Sequence, residues 1–421
     1  MTNRACVALT LMLMFISING DDISSSVQVN AAYDELYADA LRLYYQDDWA
    51  NAIVKFEAAI EDWKSERKFT LICRNECKDA FDASRERQKS PFAIEYLHYL
   101  SYMRNCSHAC MEKNMGKRLK VSKHIVQLFE DRVPYSFMQF TYHKNGNNRM
   151  GIQAASTYLR FNPKDDQMQD NMKYYSGLPE LQDIIVDEIE SLAPIEHHEL
   201  HEKGRKAYNA KNYEKCVEYF EASIKEYTKA YKECKTLCEV KVEERQQYIS
   251  GGVYGYHMHV LLCTLDCPRR LSMLLNYPQP GFLSKQFDFL HYSYTQLKRR
   301  DDALPCAVTN LLLNPLNEHM HSNMKYYIEM GYSVDDVQPR EGGKYLFEDI
   351  KSQMELLVEV KAYLLNLDEE YRGTENLADT TYESYLKHKL FSDERLPEEK
   401  KPETEDDKQA KKGGRIRRRT L

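Results

Sequence analysis

Glycine and proline are scarce in this chain, with 16 and 13 of them among 421 residues. Together with 31 tyrosines, this composition favours a helical protein over a β-sandwich or a disordered chain. Basic residues are not in excess either, because the formal net charge is −7. Proteins that bind nucleic acid usually carry a basic face, so we expect no nucleic-acid partner.

Long apolar runs are missing except at the N-terminus. Arg4 and an apolar stretch from Ala5 to Ile18 are typical of a secretory signal peptide at residues 1–20. The stretch is shorter than the roughly 20 apolar residues that span a membrane, and no helical stripe interrupts it, as a buried N-terminal helix would require. We therefore expect a chain without a membrane span, in the endoplasmic reticulum lumen or secreted.

The C-terminal stretch 396–421 is almost entirely charged, acidic at Glu403–Asp407 and then basic from Lys411 to Arg419. Such blocks of charge predict a disordered tail. A nuclear address is disfavoured behind a secretory signal. The final residues, Arg419-Thr420-Leu421, differ from a retention signal of the KDEL type, so retention in the endoplasmic reticulum would need a partner.

Cysteine occurs in four pairs with the spacing Cys-x3-Cys. There are eleven cysteines, and ten remain without Cys6 of the signal, an even number that suits disulfides in an oxidising compartment. Bridging two cysteines within one helix strains the disulfide, whereas pairing across an antiparallel helical hairpin, outer with outer and inner with inner, avoids the strain. This geometry predicts four bridges: Cys73–Cys110, Cys77–Cys106, Cys234–Cys267 and Cys238–Cys263.

The two remaining cysteines, Cys216 and Cys306, both lie in the second half of the chain. They align with Ala52 and Ala154 of the first half, and two substitutions confined to one half suggest that the positions touch. A fifth bridge, Cys216–Cys306, is therefore predicted.

Two other roles for the cysteines are disfavoured. Zinc ribbons use short Cys-x2-Cys knuckles, and a redox-active dithiol is typically a Cys-x2-Cys motif near a βαβ unit. We expect no metal and no cofactor.

The two halves of the chain align with each other. Residues 48–60 match 212–224 at an offset of 164, and residues 137–142 match 289–294 at an offset of 152. Ala40 and Gly204 occupy equivalent positions in the first helix of each half. In a tetratricopeptide-like helix pair, a small residue at this position leaves room for an aromatic ring of the second helix. The sequence thus predicts an all-α protein of two tandem tetratricopeptide-like units stapled by disulfides: unit 1 at 33–190, unit 2 at 195–339, and a C-terminal helical region at 340–395.

Catalytic motifs are not recognisable in the sequence. His197, His198 and His201 lack the spacing of a metal motif and predict only a solvated helix start in a polar linker. No His-x-Asp is followed by the distant His and Arg of a 2-oxoglutarate oxygenase. Asn105 begins the single glycosylation sequon, Asn105-Cys106-Ser107, as a candidate modification site. We expect no enzyme activity.

Tyrosines recur at helical spacing, which predicts aromatic packing between helices. The tyrosines expected to pack in this way are Tyr44, Tyr45, Tyr96, Tyr99, Tyr102, Tyr142, Tyr174, Tyr175, Tyr292, Tyr294, Tyr326 and Tyr327. The remaining tyrosines could line a concave groove, because tyrosine-rich rims suit proline-rich chains in the polyproline II conformation.

The sequence resembles the leprecan family over about Tyr33 to Pro339. The resemblance is carried by the Cys-x3-Cys pairs in helical repeats, by Pro-Cys-Ala-Val at Pro305–Val308, and by Asn-Met-Lys-Tyr-Tyr at 171–175 and 323–327. Catalytic members of that family carry a C-terminal prolyl 3-hydroxylase domain, and this chain ends where that domain would begin. The chain therefore resembles the non-catalytic branch.

The resemblance implies a helper protein of the endoplasmic reticulum that takes part in collagen biosynthesis. It would scaffold a prolyl 3-hydroxylation complex, bound to a prolyl 3-hydroxylase and a cyclophilin-type peptidyl-prolyl isomerase, and present unfolded procollagen chains. Two alternatives stay open: a partner subunit of a lysyl hydroxylase complex, and a general protein-binding adaptor of the secretory pathway.

Overall fold

A computed structural model of the chain describes residues 31–84, 92–182, 189–243, 252–274, 277–334 and 336–369. Helices dominate these residues, which confirms the predicted all-α class. A two-residue strand pair, β1 Met273–Leu274 and β2 Tyr277–Pro278, runs antiparallel between two helices. Across the described ranges, no helix combines the length and the apolar character needed to cross a membrane. The predicted signal peptide and charged tail lie outside the described residues, as does the end of the C-terminal region.

Unit 1 contains helices α1 to α7 and a 3-10 turn at Pro179–Leu181. The helices are α1 Tyr33–Tyr45, α2 Trp49–Ser84, α3 Phe92–Met115, α4 Lys123–Glu130, α5 Val133–Lys144, α6 Asn148–Leu159 and α7 Asp166–Ser176.

Unit 2 repeats this order with helices α8 to α14, and α15 follows it. The helices are α8 Glu196–Asn209, α9 Tyr213–Glu243, α10 Gly252–Leu265, α11 Cys267–Leu271, α12 Phe282–Gln296, α13 Arg300–Leu313, α14 Glu318–Glu329 and α15 Glu341–Glu369. Each unit has a hydrophobic core of its own. The limits of the units remain predictions.

The opening helix pair of each unit interlocks a small residue with a phenylalanine. In unit 2, a Cβ atom added to Gly204 of α8 would lie 2.9 Å from the ring of Phe220 in α9. In unit 1, Ala40 of α1 and Phe56 of α2 occupy the equivalent places, and both are completely buried. The close approach predicted for these hairpins is confirmed.

Charged and aromatic side chains join the two units. The Tyr99 hydroxyl of α3 donates to the Glu239 carboxylate of α9 at 3.1 Å, and Arg74 of α2 pairs with Glu243 of the same helix. Lys241 reaches Glu130 of α4 at 2.9 Å. These contacts connect α2, α3 and α4 of unit 1 to α9 of unit 2. The two units therefore pack against each other through their long helices.

Helix α15 closes unit 2 from the C-terminal side. Asp349 accepts hydrogen bonds from the Tyr231 hydroxyl at 2.7 Å and from the Lys235 ammonium at 2.6 Å. Leu357 and Val360 of α15 pack with Leu261 of α10 in a small buried cluster. The C-terminal region is therefore helical over Glu341–Glu369, and its limits at 340–395 remain a prediction.

Candidate functional site: disulfide clamps and an aromatic groove

The four Cys-x3-Cys pairs form the four predicted disulfides. In unit 1, Cys73–Cys110 and Cys77–Cys106 join α2 to α3, with Cα–Cα distances of 5.6 and 5.9 Å. In unit 2, Cys234–Cys267 and Cys238–Cys263 join α9 to α11 and α10, at 6.0 and 5.6 Å. Loops of this length restrict the unfolded chain enough to stabilise the fold by about 3 to 4 kcal/mol per bridge in the chain-entropy model.

The fifth predicted bridge, Cys216–Cys306, is wrong, because both thiols are free and buried. Cys216 of α9 accepts a hydrogen bond from the Ser293 hydroxyl of α12 at 3.0 Å, while the Cys306 thiol of α13 donates to the Asp302 carbonyl of its own helix at 3.3 Å. Each cysteine, like its alanine counterpart in unit 1, is a small residue in a fully buried position. Two substitutions in one unit did not mean contact, since cysteine behaves as a small hydrophobe.

The sulfurs of unit 2 are crowded, and all four of them are bonded in disulfides. Cys234, Cys238 and Cys267 place their sulfurs within 4.8 Å of one another, yet each is already bonded in a disulfide and offers no thiolate. The guanidinium of Arg270 lies 3.0 Å from the Cys234 sulfur and 3.1 Å from that of Cys238. A second cation at this place would be repelled by Arg270.

The three histidines at the start of α8 are buried, so the predicted solvated helix start is wrong. His197, His198 and His201 are only 2, 7 and 8% exposed. The Nε2 atoms of His197 and His198 lie 2.9 and 2.7 Å from the carbonyl oxygen of Leu271. The ring of His201 packs against Phe282 at 4.7 Å. The sequence looked polar here, but histidine buries its ring when a carbonyl or an aromatic side chain faces it.

Burial controls the ionisation of these histidines. Desolvation lowers the pKa of both His197 and His201 to about 4, and it also lowers the pKa of His198. The neutral rings substitute for Tyr33 and Tyr37 of unit 1, which pack against Phe129 in the same way. The three histidines therefore pack α8 against α11 and α12.

The tyrosine prediction holds for some residues and fails for others. Tyr44, Tyr175 and Tyr327 are at most 2% exposed, and the Tyr175 hydroxyl donates to the Gln139 carbonyl at 2.8 Å. By contrast, three of the tyrosines expected to pack are largely exposed: Tyr45 at 42%, Tyr292 at 42% and Tyr326 at 50%. In the Asn-Met-Lys-Tyr-Tyr segment of unit 2, the second tyrosine is therefore in the core and the first faces solvent.

An aromatic cluster lies where the α8–α9 turn meets α12. Tyr208 contacts Phe289 at 4.9 Å and Tyr292 at 5.4 Å between ring centroids, and Tyr213 contacts Tyr292 at 5.9 Å. At the equivalent place in unit 1, Phe140 is only 6% exposed. The ring at this position is therefore buried in unit 1, as Phe140, and exposed in unit 2, as Tyr292.

A cavity of about 500 Å³ lies between α12 and the start of α14, and its lining residue Asp288 is one helical turn from Tyr292. Its lining includes Asp288 and Lys285 of α12 and the segment from Asn314 to His319, where Leu316 is 78% exposed. The Asn317 amide donates to the Asp288 carboxylate at 3.3 Å. We call the cavity and the adjoining Tyr208 and Tyr292 the α12 groove. Comparing the two halves could have revealed it, since Ser136 and Phe140 change to Asp288 and Tyr292.

The sequon in α3 has an exposed asparagine and a buried hydroxyl. Asn105 is exposed, whereas Ser107 is 9% exposed and Cys106 is bridged to Cys77. The glycosylating enzyme needs an accessible loop, so modification at Asn105 would have to come before this helix forms. Glycosylation of Asn105 stays a prediction.

The folded units define the class of this protein: a tandem helical-repeat protein whose long helices are clamped by paired disulfides. The family model for the leprecan family TPR-like repeat region matches residues 32–330, and the chain belongs to the leprecan family.

Curated relatives fall into two groups. The chain is 28% identical to cartilage-associated protein of Mus musculus over 347 residues, which cover 80% of this chain and 85% of the relative. It is also 28% identical to prolyl 3-hydroxylase 2 of Mus musculus over 312 residues, 70% of this chain but 43% of the relative, and 24% identical to prolyl 3-hydroxylase 1 of Homo sapiens, of which it covers 50%. The chain thus spans half or less of the prolyl 3-hydroxylases that it matches.

Proposed function

We propose that this chain is a non-catalytic helper subunit of a collagen prolyl 3-hydroxylation complex in the endoplasmic reticulum lumen. In this role it binds a prolyl 3-hydroxylase and a cyclophilin-type peptidyl-prolyl isomerase, and it presents unfolded procollagen chains to them. The chemistry belongs to the hydroxylase, and the helical units of this chain supply surfaces.

The observation that carries the proposal is the extent of the family match. The repeat region matches over residues 32–330, and the alignment with cartilage-associated protein covers 85% of that relative, against 43% of prolyl 3-hydroxylase 2. The likeness is thus to the repeat region that both groups share. Four disulfides, which persist in oxidising compartments, support a place in the secretory pathway.

The side chains of the described residues also favour binding over catalysis. The histidines of α8 are neutral, buried and held by a backbone carbonyl and aromatic rings, and burial raises the pKa of the Cys306 thiol to about 12. A thiol with so high a pKa is protonated at neutral pH and is a poor nucleophile. In contrast, the α12 groove combines aromatic rings and amides, a combination suited to holding a chain.

The test is affinity purification of the tagged full chain from the secretory pathway, followed by mass spectrometry of the recovered proteins. A prolyl 3-hydroxylase among them, in amounts comparable to the bait, supports the proposal. Recovery of a lysyl hydroxylase instead would move the chain to the alternative complex. Recovery of neither enzyme would contradict a role in collagen modification and leave a general adaptor.

A further inference from the structure

The floor of the α12 groove is an exposed stripe on one face of a helix. Lys285, Asp288 and Tyr292 are spaced by three and four residues, so their side chains follow one another along α12. Lys285 is exposed, Asp288 is half-buried and Tyr292 is 42% exposed. Tyr208 adjoins the stripe at Tyr292 and Asn317 adjoins it at Asp288. Ring faces, a carboxylate and amide groups are thus presented side by side.

Unit 1 has no such stripe at the equivalent positions. Val133 stands in place of Lys285, Ser136 in place of Asp288 and Phe140 in place of Tyr292. Ser136 is completely buried and Phe140 is 6% exposed. The two units share one helix order, but this helix face is covered in unit 1 and exposed in unit 2. The exposure is therefore not a consequence of the helical architecture.

The charge in the groove is incompletely matched. Among the described residues, Asp288 accepts hydrogen bonds from the Asn317 amide but takes part in no ion pair; Lys285, one turn away on α12, is the nearby cation. Burial raises the pKa of its carboxyl group, because a half-buried carboxylate lacks part of its hydration. A basic group of a ligand could occupy this place and stabilise the anion.

Rings and amides side by side fit one kind of chain. A polyproline II segment has no internal hydrogen bonds, so its carbonyls need external donors, and its proline rings pack well on aromatic faces. Tyr208 and Tyr292 offer the ring faces, and their hydroxyls offer donors. We propose that the α12 groove binds a proline-rich segment in the polyproline II conformation that carries a basic residue, with its prolines against Tyr208 and Tyr292 and its cation at Asp288. This assignment deepens the proposed function and rests on it for the source of the chain, an unfolded procollagen.

The test measures binding of a short fluorescein-labelled oligoproline with one central arginine to the full chain, by fluorescence anisotropy. A second peptide carries glutamate in place of the arginine. The variants are Tyr292→Ala, Asp288→Asn and the matched control Tyr45→Ala, which removes a tyrosine of the same 42% exposure from unit 1. All substituted side chains are at least partly exposed, and a thermal unfolding curve for each variant shows that it is folded.

Tyr292→Ala is expected to weaken binding at least about tenfold, as loss of an aromatic anchor does, while Tyr45→Ala binds like the natural chain. Asp288→Asn should abolish the preference for arginine over glutamate, by weakening binding of the arginine peptide and leaving binding of the glutamate peptide unchanged or stronger. Binding unaffected by Tyr292→Ala, equal losses for Tyr45→Ala, or dimerisation of the chain through Tyr292 seen by light scattering would each overturn the assignment.

Recovery of the hydroxylase with the same variants separates this inference from the proposed function. A chain that recovers the enzyme but binds no oligoproline would overturn the groove assignment alone. A chain that binds the peptide through Tyr292 but recovers no hydroxylase would uphold the groove and contradict the proposed function.

Discussion

Single residues decide which cysteines are bridged. Two Cys-x3-Cys pairs on antiparallel helices can be bridged without strain when outer pairs with outer and inner with inner. The four pairings could therefore be predicted from the sequence alone. The state of Cys216 and Cys306 could not be predicted in this way, because it depends on how three helices pack. In the structure α12 contributes Ser293 as the neighbour of Cys216, and the second cysteine is turned to its own helix.

Two thiols should therefore be detectable in the mature chain. We expect iodoacetamide, added in denaturant without reductant, to label Cys216 and Cys306 and none of the eight bridged cysteines. Peptide mapping by mass spectrometry measures the result. A peptide that links residues 216 and 306 would show that the fifth bridge exists after all.

Buried histidines should make unit 2 sensitive to acid. Burial lowers the pKa of His201 to about 4, below the value of about 6.5 in an unfolded chain. The unfolded chain therefore binds more protons between pH 6.5 and 4, and the free energy of unfolding falls as the pH drops through this window. His201→Tyr, which copies Tyr37 of unit 1, should remove about 2 kcal/mol of the loss between pH 7 and pH 5.

Urea unfolding at several pH values measures this effect. The reciprocal variant, Tyr37→His, is the matched control and should add acid sensitivity to unit 1, since Tyr37 is 2% exposed. If His201→Tyr and the natural chain lose stability in parallel between pH 7 and pH 5, the histidine does not titrate as its burial requires.

At the scale of helices, each unit depends on the close approach of its opening pair. The sequence predicted this feature because a small residue recurs at Ala40 and Gly204, opposite Phe56 and Phe220. The burial of the α8 histidines was missed, because Leu271 and Phe282, which face them, lie more than 70 residues further along the chain. The polarity of the neighbouring residues in the sequence gives no information about such distant partners.

Gly204→Leu should destabilise unit 2 by overpacking. An added Cβ already meets the Phe220 ring at 2.9 Å, so a leucine forces the helices apart, which typically costs about 1 to 3 kcal/mol. Lys203→Leu, next to it on the exposed side of α8, is the control and should leave the midpoint nearly unchanged. Thermal unfolding followed by circular dichroism compares the two, and equal midpoints would contradict the close packing of α8 on α9.

The described part of the molecule contains two similar helical units, followed by α15, and the two units differ at their surfaces. Repetition made the architecture predictable, since one helix order explains both halves. The α12 groove was harder to see because Tyr292 shares helical spacing with buried tyrosines, and spacing alone cannot distinguish an exposed ring from a buried one. The two units differ at this position, which is Phe140 in one and Tyr292 in the other. This difference can be interpreted only when the exposures of the two side chains, 6 and 42%, are known.

The proposed function requires that this chain promotes collagen hydroxylation without performing it. The most direct measurement is 3-hydroxyproline on an unfolded procollagen chain, quantified by mass spectrometry after incubation with a prolyl 3-hydroxylase, with this chain, or with both. We expect none with this chain alone and more with both than with the enzyme alone. Hydroxylation by this chain alone, or no effect of adding it to the enzyme, would contradict the proposed function.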